Sequence, residues 1–186
     1  MVAHAATYKF TVDEYNRLAE IGFFRDARVE LIEGDIVNMA PIGSRHYNTV
    51  NRLTTLFSPL AAARRAILHV QNPVVISPRS KPQPDVTLLK FREDFYRDRE
   101  PGPEDVILLV EVADSSSSYE QLTKMPLYAR AGVPECWLVD IPHSEIHVFT
   151  APSPDGYKSV ATFAGADAIA PAAFPEIRAR VEEIIG

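Results

Sequence analysis

Two periods of hydrophobic residues run along this chain, and each predicts a different kind of element. Between residues 43 and 63, apolar side chains recur at steps of three and four, which predicts a helix with one face on a core. Pro59 should kink this helix or shorten its end. Near the start of the chain, Thr11 and Glu14 have the spacing of a capping box, which predicts a short helix that runs to about Ile21.

Shorter apolar runs between turn signals predict strands. Residues 29–32 and 36–39 flank Gly34, which can take the positive φ of a tight turn, so they predict a β-hairpin. Residues 106–112 form a near-continuous apolar run, which is typical of a central strand buried on both faces. Residues 66–76 are predicted to be extended with an interruption at Asn72-Pro73. Further strands are predicted at residues 85–89, 135–140, 145–149 and 157–163, the last three as an antiparallel meander.

The remaining segments complete the predicted architecture. A third helix should contain residues 122–131 and end at Gly132. The charged stretch 90–105 is most simply a solvated excursion, and residues 177–185 are ambiguous between strand and helix. The order of elements predicts an α/β or α+β fold, with a mixed central β-sheet flanked by helices, an N-terminal β-hairpin and a C-terminal antiparallel meander. We expect a single domain over residues 1–186.

Composition narrows the class of protein. With 186 residues and 46% hydrophobic side chains, the chain can bury a sizeable core. Its formal net charge of −6 argues against a surface that coats nucleic acid or an anionic membrane, but it leaves room for a local basic groove. Cys136 is the single cysteine, so nothing requires an oxidising compartment and the cytoplasm is the expected location. No segment is apolar for long enough to predict a membrane span.

Glu111 is the strongest chemical signal in the sequence. It follows five aliphatic residues of the predicted central strand, where an ionised carboxylate requires a cation or strong hydrogen-bond donors. A second acid, Asp85, opens another predicted strand directly after Pro84. If those strands are neighbours, the two carboxylates converge, and paired oxygen ligands of this kind suit Mg²⁺. The alternatives are a turn or capping role for Asp85 and a buried ion pair with an arginine for Glu111.

Lys124 extends this pattern. It lies early in the third predicted helix, and a helix that returns over the sheet could aim its ammonium at the metal. There the ammonium would orient an attacking water and balance negative charge, which would complete a phosphodiesterase site. The alternative is a solvated lysine on an amphipathic helix.

The same residues resemble a known protein family. Its pattern is carried here by Pro84-Asp85, Glu111-Val112-Ala113 and Lys124, together with residues 29–34 and 127–135. From about Phe10 to about Phe163, the chain is similar to the restriction-endonuclease-like family, a domain of unknown function inside the PD-(D/E)XK nuclease superfamily. The segment from Tyr128 to Trp137 makes this resemblance specific.

The resemblance implies a Mg²⁺-dependent DNA endonuclease, with Mn²⁺ as a substitute ion. Asp85 and Glu111 would hold the metal, the Val112 carbonyl would add a ligand, and a lysine would assist the attacking water. The usual position of that lysine, two residues after the glutamate, is Ala113 in this chain. The resemblance therefore points to Lys124 on the following helix.

Glu30 and His46 are second-rank catalytic candidates. The resemblance implies an acid in the early hairpin and a histidine at the start of the long helix, both near the pocket. Without it, Glu30 fits a hairpin surface acid, because it alternates with Val29 and Leu31. His46 likewise fits a surface or partly buried hydrogen-bonding residue.

The architecture of such nucleases implies DNA as the partner and a homodimer as the assembly, since two copies can build the positive cleft that a chain of net charge −6 lacks. The alternative is a catalytically silent member of the fold that acts as a nucleic-acid or protein interaction module. Ala113 and the acidic net charge favour that alternative. A third interpretation keeps the metal site and changes the substrate to RNA, a branched DNA junction or a nucleotide.

Overall fold

The computed structural model describes residues 7–114 and 118–186. In chain order, its helices and strands are α1 (Val12–Glu20), β1 (Val29–Ile32), β2 (Asp35–Asn38), α2 (Ser44–Ala62), β3 (Ala66–Val70), β4 (Val86–Lys90), β5 (Val106–Ala113), α3 (Met125–Arg130), β6 (Glu135–Asp140), β7 (Glu145–Ser153), β8 (Gly156–Ala164), β9 (Ala168–Ile169), β10 (Ala179–Arg180) and α4 (Val181–Ile185). A 3₁₀ turn at Pro103–Asp105 precedes β5, and a π-helical turn at Glu120–Lys124 leads into α3.

A six-stranded sheet in the order β3-β4-β5-β6-β7-β8 forms the centre of the fold. β5 and β6 pair in parallel, whereas the other neighbouring strands of this sheet pair antiparallel. A parallel pair needs a crossover connection, and the segment that carries α3 supplies it. The predicted mixed sheet with flanking helices is therefore confirmed, as are the N-terminal hairpin β1–β2 and the meander β6–β7–β8.

Helices cover both faces of the central sheet. On one face, α2 and α4 pack on strand side chains that include Val110 and Trp137, and the Trp137 ring centre lies 6.0 Å from that of Phe57 in α2. On the other face, α3 packs on side chains that include Leu109. Successive side chains of a strand point to opposite faces, so Glu111 shares the α3 face with Leu109. The confirmed burial of β5 thus carries an acid towards the crossover helix.

Two local signals in the sequence are confirmed by hydrogen bonds and backbone angles. The Thr11 hydroxyl accepts the Glu14 amide at 3.3 Å, and the Glu14 carboxylate accepts the Thr11 amide at 2.9 Å, so a capping box starts α1. Between β1 and β2, Glu33 and Gly34 have φ values of 48° and 84°. Two successive positive values define the tight turn that matches the twist of a hairpin.

α2 passes through Pro59 and continues to Ala62, so Pro59 does not end the helix. A proline has no N–H, which leaves the Thr55 carbonyl without its usual helical donor. The Ser58 hydroxyl donates to that carbonyl at 3.0 Å, which explains why the helix can continue. Within the described residues, no helix is both long and apolar enough to cross a membrane.

Two predicted boundaries differ from the structure. The first strand of the extended stretch predicted at residues 66–76 ends at Val70, before the predicted interruption, because Gln71 has a φ of 52° and so leaves the extended path. The C-terminal segment, which was ambiguous in sequence, forms the short strand β10 followed by α4.

The charged segment 90–105 is anchored to the sheet, so its prediction as a solvated excursion is wrong in part. Tyr96 is 7% exposed and Asp105 is 5% exposed. The guanidinium groups of Arg92 and Arg99 lie over the Tyr96 ring, at 5.2 and 5.4 Å from its centre. Arg99 also donates two hydrogen bonds to Asp105, at 2.6 and 2.7 Å. The buried ring and the buried carboxylate therefore find their partners inside the segment itself.

Candidate active site

Antiparallel pairing brings the two predicted metal-binding acids to the same end of the sheet. Val86 of β4 pairs with Val110 of β5. Asp85 directly precedes Val86 and Glu111 directly follows Val110. The two acids therefore lie opposite each other, one position beyond that pair, on neighbouring strands. Both side chains are buried, and both line one cavity. The expected neighbourhood of the two strands is confirmed.

The cavity has a volume of about 500 Å³. Its wall combines β1, the segment 37–43, the first turn of α2, the start of β4, the end of β5 and the π-helical turn. The charged and titratable side chains that line it are Arg28, Glu30, His46, Asp85, Glu111, Asp114, Tyr119, Glu120 and Lys124. Five carboxylates face two permanently charged bases, so the cavity has an excess of negative charge that favours a bound cation.

Lys124 projects from the π-helical turn into this cluster of acids. Its ammonium lies 3.0 Å from Glu30 Oε2 and 3.3 Å from Glu111 Oε1. Burial lowers the pKa of Lys124, but the two carboxylates outweigh that effect and hold the pKa above its usual value. Lys124 is only 5% exposed, so the alternative of a solvated lysine is wrong. The structure supplies a fixed positive charge beside Glu111.

Glu111 is only partly compensated by its surroundings. Its Oε1 accepts a hydrogen bond from the Tyr128 hydroxyl at 2.5 Å, in addition to the contact with Lys124. Burial nevertheless raises the pKa of Glu111 to about 8, because Lys124 and Tyr128 offset only part of that effect. The negative charge of Asp85 raises this pKa further. The cation beside Glu111 is a lysine, so the alternative of an arginine partner is wrong.

Asp85 accepts hydrogen bonds from three different parts of the chain. The Val112 amide donates to Oδ2 at 2.9 Å, His46 Nε2 lies 3.1 Å from the same oxygen, and Gln71 Nε2 donates to Oδ1 at 3.1 Å. Burial lowers the pKa of His46, but the hydrogen bond and charge of Asp85 outweigh it, so the pKa is raised overall. His46 Nδ1 is buried and has no hydrogen-bond partner among the residues that the structure describes. His46 thus contacts Asp85 directly through Nε2, and its other ring nitrogen is left without a partner in that described part of the chain.

Glu30 faces the cavity, so its alternative assignment as a hairpin surface acid is wrong. The residue is 3% exposed, and its Oε2 accepts the Gln83 amide at 3.3 Å as well as the Lys124 ammonium. Backbone hydrogen bonds between Leu31 and Lys81 hold the hairpin against the segment that leads into β4. That docking turns the Glu30 side chain inward.

Several residues of the site are missing from the predicted set, among them Gln71, Glu120 and Tyr128. Glu120 lines the cavity, and its Oε2 is buried without a hydrogen-bond partner in the described part of the chain. Burial raises the pKa of Glu120. Glu120, Lys124 and Tyr128 follow one another at steps of four residues, which places their side chains along one side of a helix. This spacing from Lys124 was the sequence signal that could have identified Glu120 and Tyr128. Gln71 lies outside any periodic element and gave no such signal.

The donor set fits a hard divalent cation. Asp85 and Glu111 supply carboxylate oxygens, and the excess acid of the cavity includes the orphaned oxygen of Glu120. The Val112 amide points towards Asp85, so the Val112 carbonyl faces the same edge of β5. The structure contains no group of three or more His, Cys, Asp and Glu side chains arranged to hold a metal within its described residues. Water or substrate oxygens would therefore complete the coordination, as is usual for Mg²⁺.

Comparisons with known proteins identify a family and a shared fold. A family model described as "Putative restriction endonuclease" (Uma2) matches residues 12–182. No curated protein matches the chain. Among solved structures, the chain is similar to a "putative nuclease belonging to DUF820" from Anabaena variabilis ATCC 29413, with a TM-score of 0.74 over 95% of this chain and 97% of that one. The sequences are 17% identical, so this likeness shows a shared fold.

Glu111→Gln should stabilise the metal-free protein at alkaline pH. Protonated Glu111 contributes stability that is fully present below the usual carboxyl pKa of 4.5 and is lost as the pH rises through about 8. The difference in Tm between variant and wild type should therefore grow in favour of the variant across that window, measured in EDTA. Glu104→Gln, which changes an exposed side chain, is the matched control. A Tm difference between Glu111→Gln and the wild type that stays constant with pH would contradict a raised pKa of Glu111.

Proposed function

This chain belongs to the Uma2 restriction-endonuclease family, and on that basis we propose that it is a metal-dependent DNA endonuclease that hydrolyses phosphodiester bonds. The observation that carries the proposal is the meeting of Asp85, Glu111 and Lys124 in one cavity. These side chains come from three separate elements, so their convergence depends on the whole fold. They supply oxygen ligands and a buried cation, the groups that metal-assisted hydrolysis of a phosphodiester needs.

Mg²⁺ is the proposed metal, with Mn²⁺ as a substitute. Asp85, Glu111 and the Val112 carbonyl would hold it, and the excess of acidic groups in the cavity supports that assignment. When bound, such an ion supplies Lewis-acid polarisation of the scissile phosphate. The compensation of Glu111 by Lys124 is incomplete, which leaves room for the additional positive charge.

The proposed catalytic role of Lys124 is to orient the attacking water and to balance the negative charge that develops on the phosphate. Its buried and permanently charged ammonium suits that role. Glu30 would hold the ammonium in place through the 3.0 Å contact. His46 would act on Asp85 by fixing its carboxylate, since His46 Nε2 contacts Asp85 Oδ2. Glu30 and His46 are thus proposed as positioning residues for the two groups that do the chemistry.

The family suggests DNA as the substrate, and we propose a homodimer as the working assembly because the charge of a single copy disfavours binding to a duplex. The net charge is −6, and the arginines Arg64 and Arg65 are already in ion pairs with Glu93 and Glu176. A single copy therefore offers little positive surface to a duplex, and a second copy would have to complete a cleft.

The free edge of β8 is the proposed dimer interface. β8 is nine residues long and ends the central sheet, and its residues 158–162 are exposed. An exposed strand edge of this length is a template for pairing with another strand. Antiparallel pairing of two copies around Val160 would place Lys158 opposite Thr162 of the second copy, so no like charges would meet.

A second candidate function is a catalytically silent module that binds a nucleic acid or a protein. Lys124 is bound to two carboxylates, an arrangement that can be purely structural, and Ala113 occupies the usual lysine position. Under this alternative the ammonium neutralises the acids and the site has no catalytic metal. An RNA or branched DNA substrate is the remaining alternative for an active site of the same geometry.

Asp85→Ala should abolish cleavage, and Lys124→Ala should lower it by roughly a hundred- to a thousand-fold, the size of effect expected when a charge-stabilising group is lost. The assay is cleavage of plasmid, single-stranded DNA and RNA by the pure protein with Mg²⁺ or Mn²⁺. Lys90→Ala removes an exposed lysine at the end of β4 and should cut like the wild type. Equal cleavage by wild type and Asp85→Ala would reject the assigned site, and a wild type that binds nucleic acid without cutting it would select the silent module.

Val160→Lys should convert the dimer into a monomer, because the symmetric pairing would bring two ammonium groups together at its centre. The measurement is light scattering coupled to size-exclusion chromatography over a range of concentrations. Leu122→Lys makes the same change at a residue that is 78% exposed on the π-helical turn, so it should remain dimeric. A variant at Val160 that keeps the wild-type mass would rule out the β8 edge as the interface.

A further inference from the structure

Gln71 combines an unfavourable backbone conformation with a hydrogen bond to the candidate metal ligand. Its φ of 52° lies in the left-handed region, which side chains other than glycine, asparagine and aspartate adopt rarely. Its side-chain amide donates to Asp85 Oδ1 at 3.1 Å, and the residue lines the cavity. From this pairing we propose that Gln71 is a positioning residue that determines which lone pair of Asp85 faces a bound cation. The inference depends on the proposed metal function.

A backbone hydrogen bond also holds Gln71 beside Asp85. Val70 pairs with Val86 at the last position of the β3–β4 ladder, so Gln71 and Asp85 occupy the next register position. The backbone N–H of Gln71 donates to the backbone carbonyl of Asp85 at 3.0 Å, which continues the ladder by one hydrogen bond. Immediately afterwards the left-handed angle at Gln71 turns the chain away towards Pro73. The position of residue 71 relative to Asp85 is therefore fixed.

The hydrogen bonds to Asp85 leave one direction open for a metal. An ionised carboxylate only accepts hydrogen bonds, so the amide nitrogen of Gln71 has to face it. Oδ2 already accepts two, from the Val112 amide and from His46. Each carboxylate oxygen has two lone pairs, and among the described residues Gln71 takes one of the two on Oδ1. The remaining lone pair of Oδ1 is then the site for a cation, and the Gln71 amide sets its direction.

The residue type at position 71 supports this role. Glycine or asparagine would fit the left-handed backbone better, but glycine has no side chain and asparagine is one methylene shorter. Lysine or arginine could reach Asp85, but either would bring a positive charge that competes with the metal. Glutamine is a neutral donor of sufficient length. Strain held at a cavity wall for the sake of one side chain is a feature of functional sites.

The test compares Mn²⁺ binding by wild type, Gln71→Met and Gln71→Asn, measured by titration calorimetry without nucleic acid. Methionine keeps the length and the backbone strain but removes the donor, whereas asparagine relieves the strain but does not reach Asp85. Both variants should bind Mn²⁺ about ten- to a hundred-fold more weakly, the usual effect of losing a partner of a metal ligand. The metal-free Tm of Gln71→Asn should stay within about 3 °C of the wild type, since relief of the backbone strain offsets the lost hydrogen bond in that variant. Ser144→Asn, at an exposed turn residue with a φ of 57°, is the matched control and should bind like the wild type.

The outcomes separate this inference from the function on which it depends. If the wild type binds Mn²⁺ and both Gln71 variants bind it equally well, the positioning role is overturned and the metal site stands. If the wild type and Asp85→Ala both show no binding, the proposed metal function fails and the inference fails with it. Weak binding by Gln71→Met together with wild-type binding by Gln71→Asn would show that binding does not need a side chain that reaches Asp85, which also overturns the proposal.

Discussion

Negative charge buried at one end of β4 and β5 is the constraint to which the rest of the site responds. Asp85 and Glu111 occupy adjacent register positions there, and Glu30 approaches from the docked hairpin. Carboxylates in such a position require compensation, since each would otherwise pay a desolvation penalty of several kcal/mol. The surrounding groups supply a buried ammonium, a tyrosine hydroxyl, an amide side chain and a backbone N–H. Lys124 and Tyr128 offset only part of the effect of burial on Glu111, whose pKa stays raised to about 8, and the remaining imbalance favours an additional cation.

The π-helical turn explains how the site dispenses with a lysine on β5. Ala113 shares the α3 face of the strand with Glu111, because they are two residues apart, and a lysine there would start close to the acids. The small side chain of Ala113 is instead buried against the crossover segment, and Lys124 enters the same region from the turn. π-helical turns are frequent at functional sites. Tyr128, one turn further on, anchors the same carboxylate from α3.

The contacts of Lys124 that favour a nuclease are also compatible with the alternative function, a catalytically silent module. A lysine held between Glu30 and Glu111 forms a buried ion pair, and under the proposed function it would become a charged catalytic group once a phosphate and a metal were bound. The difference lies in the remaining acids. Glu120 has a buried oxygen without a partner in the described ranges, and the lining carries more carboxylates than bases. A purely structural cluster gains nothing from that surplus, whereas a metal-binding cavity uses it.

Local sequence patterns determined most of the helices and strands, and they showed that one buried acid needs a partner. Periodicity predicted α1, α2 and the meander, and the position of Glu111 at the end of an apolar run showed that a buried acid needed a partner. The sequence placed the break after the strand from Ala66 at Asn72-Pro73, whereas the chain already turns left-handed at Gln71, which nothing in the pattern shows. Tertiary structure alone decided that Asp85 lies beside Glu111, that Glu30 faces inward and that Gln71 reaches Asp85. Each of these depends on strand order and on the docking of a hairpin or helix, which are contacts between residues far apart in the chain and leave no trace in the local spacing of side chains.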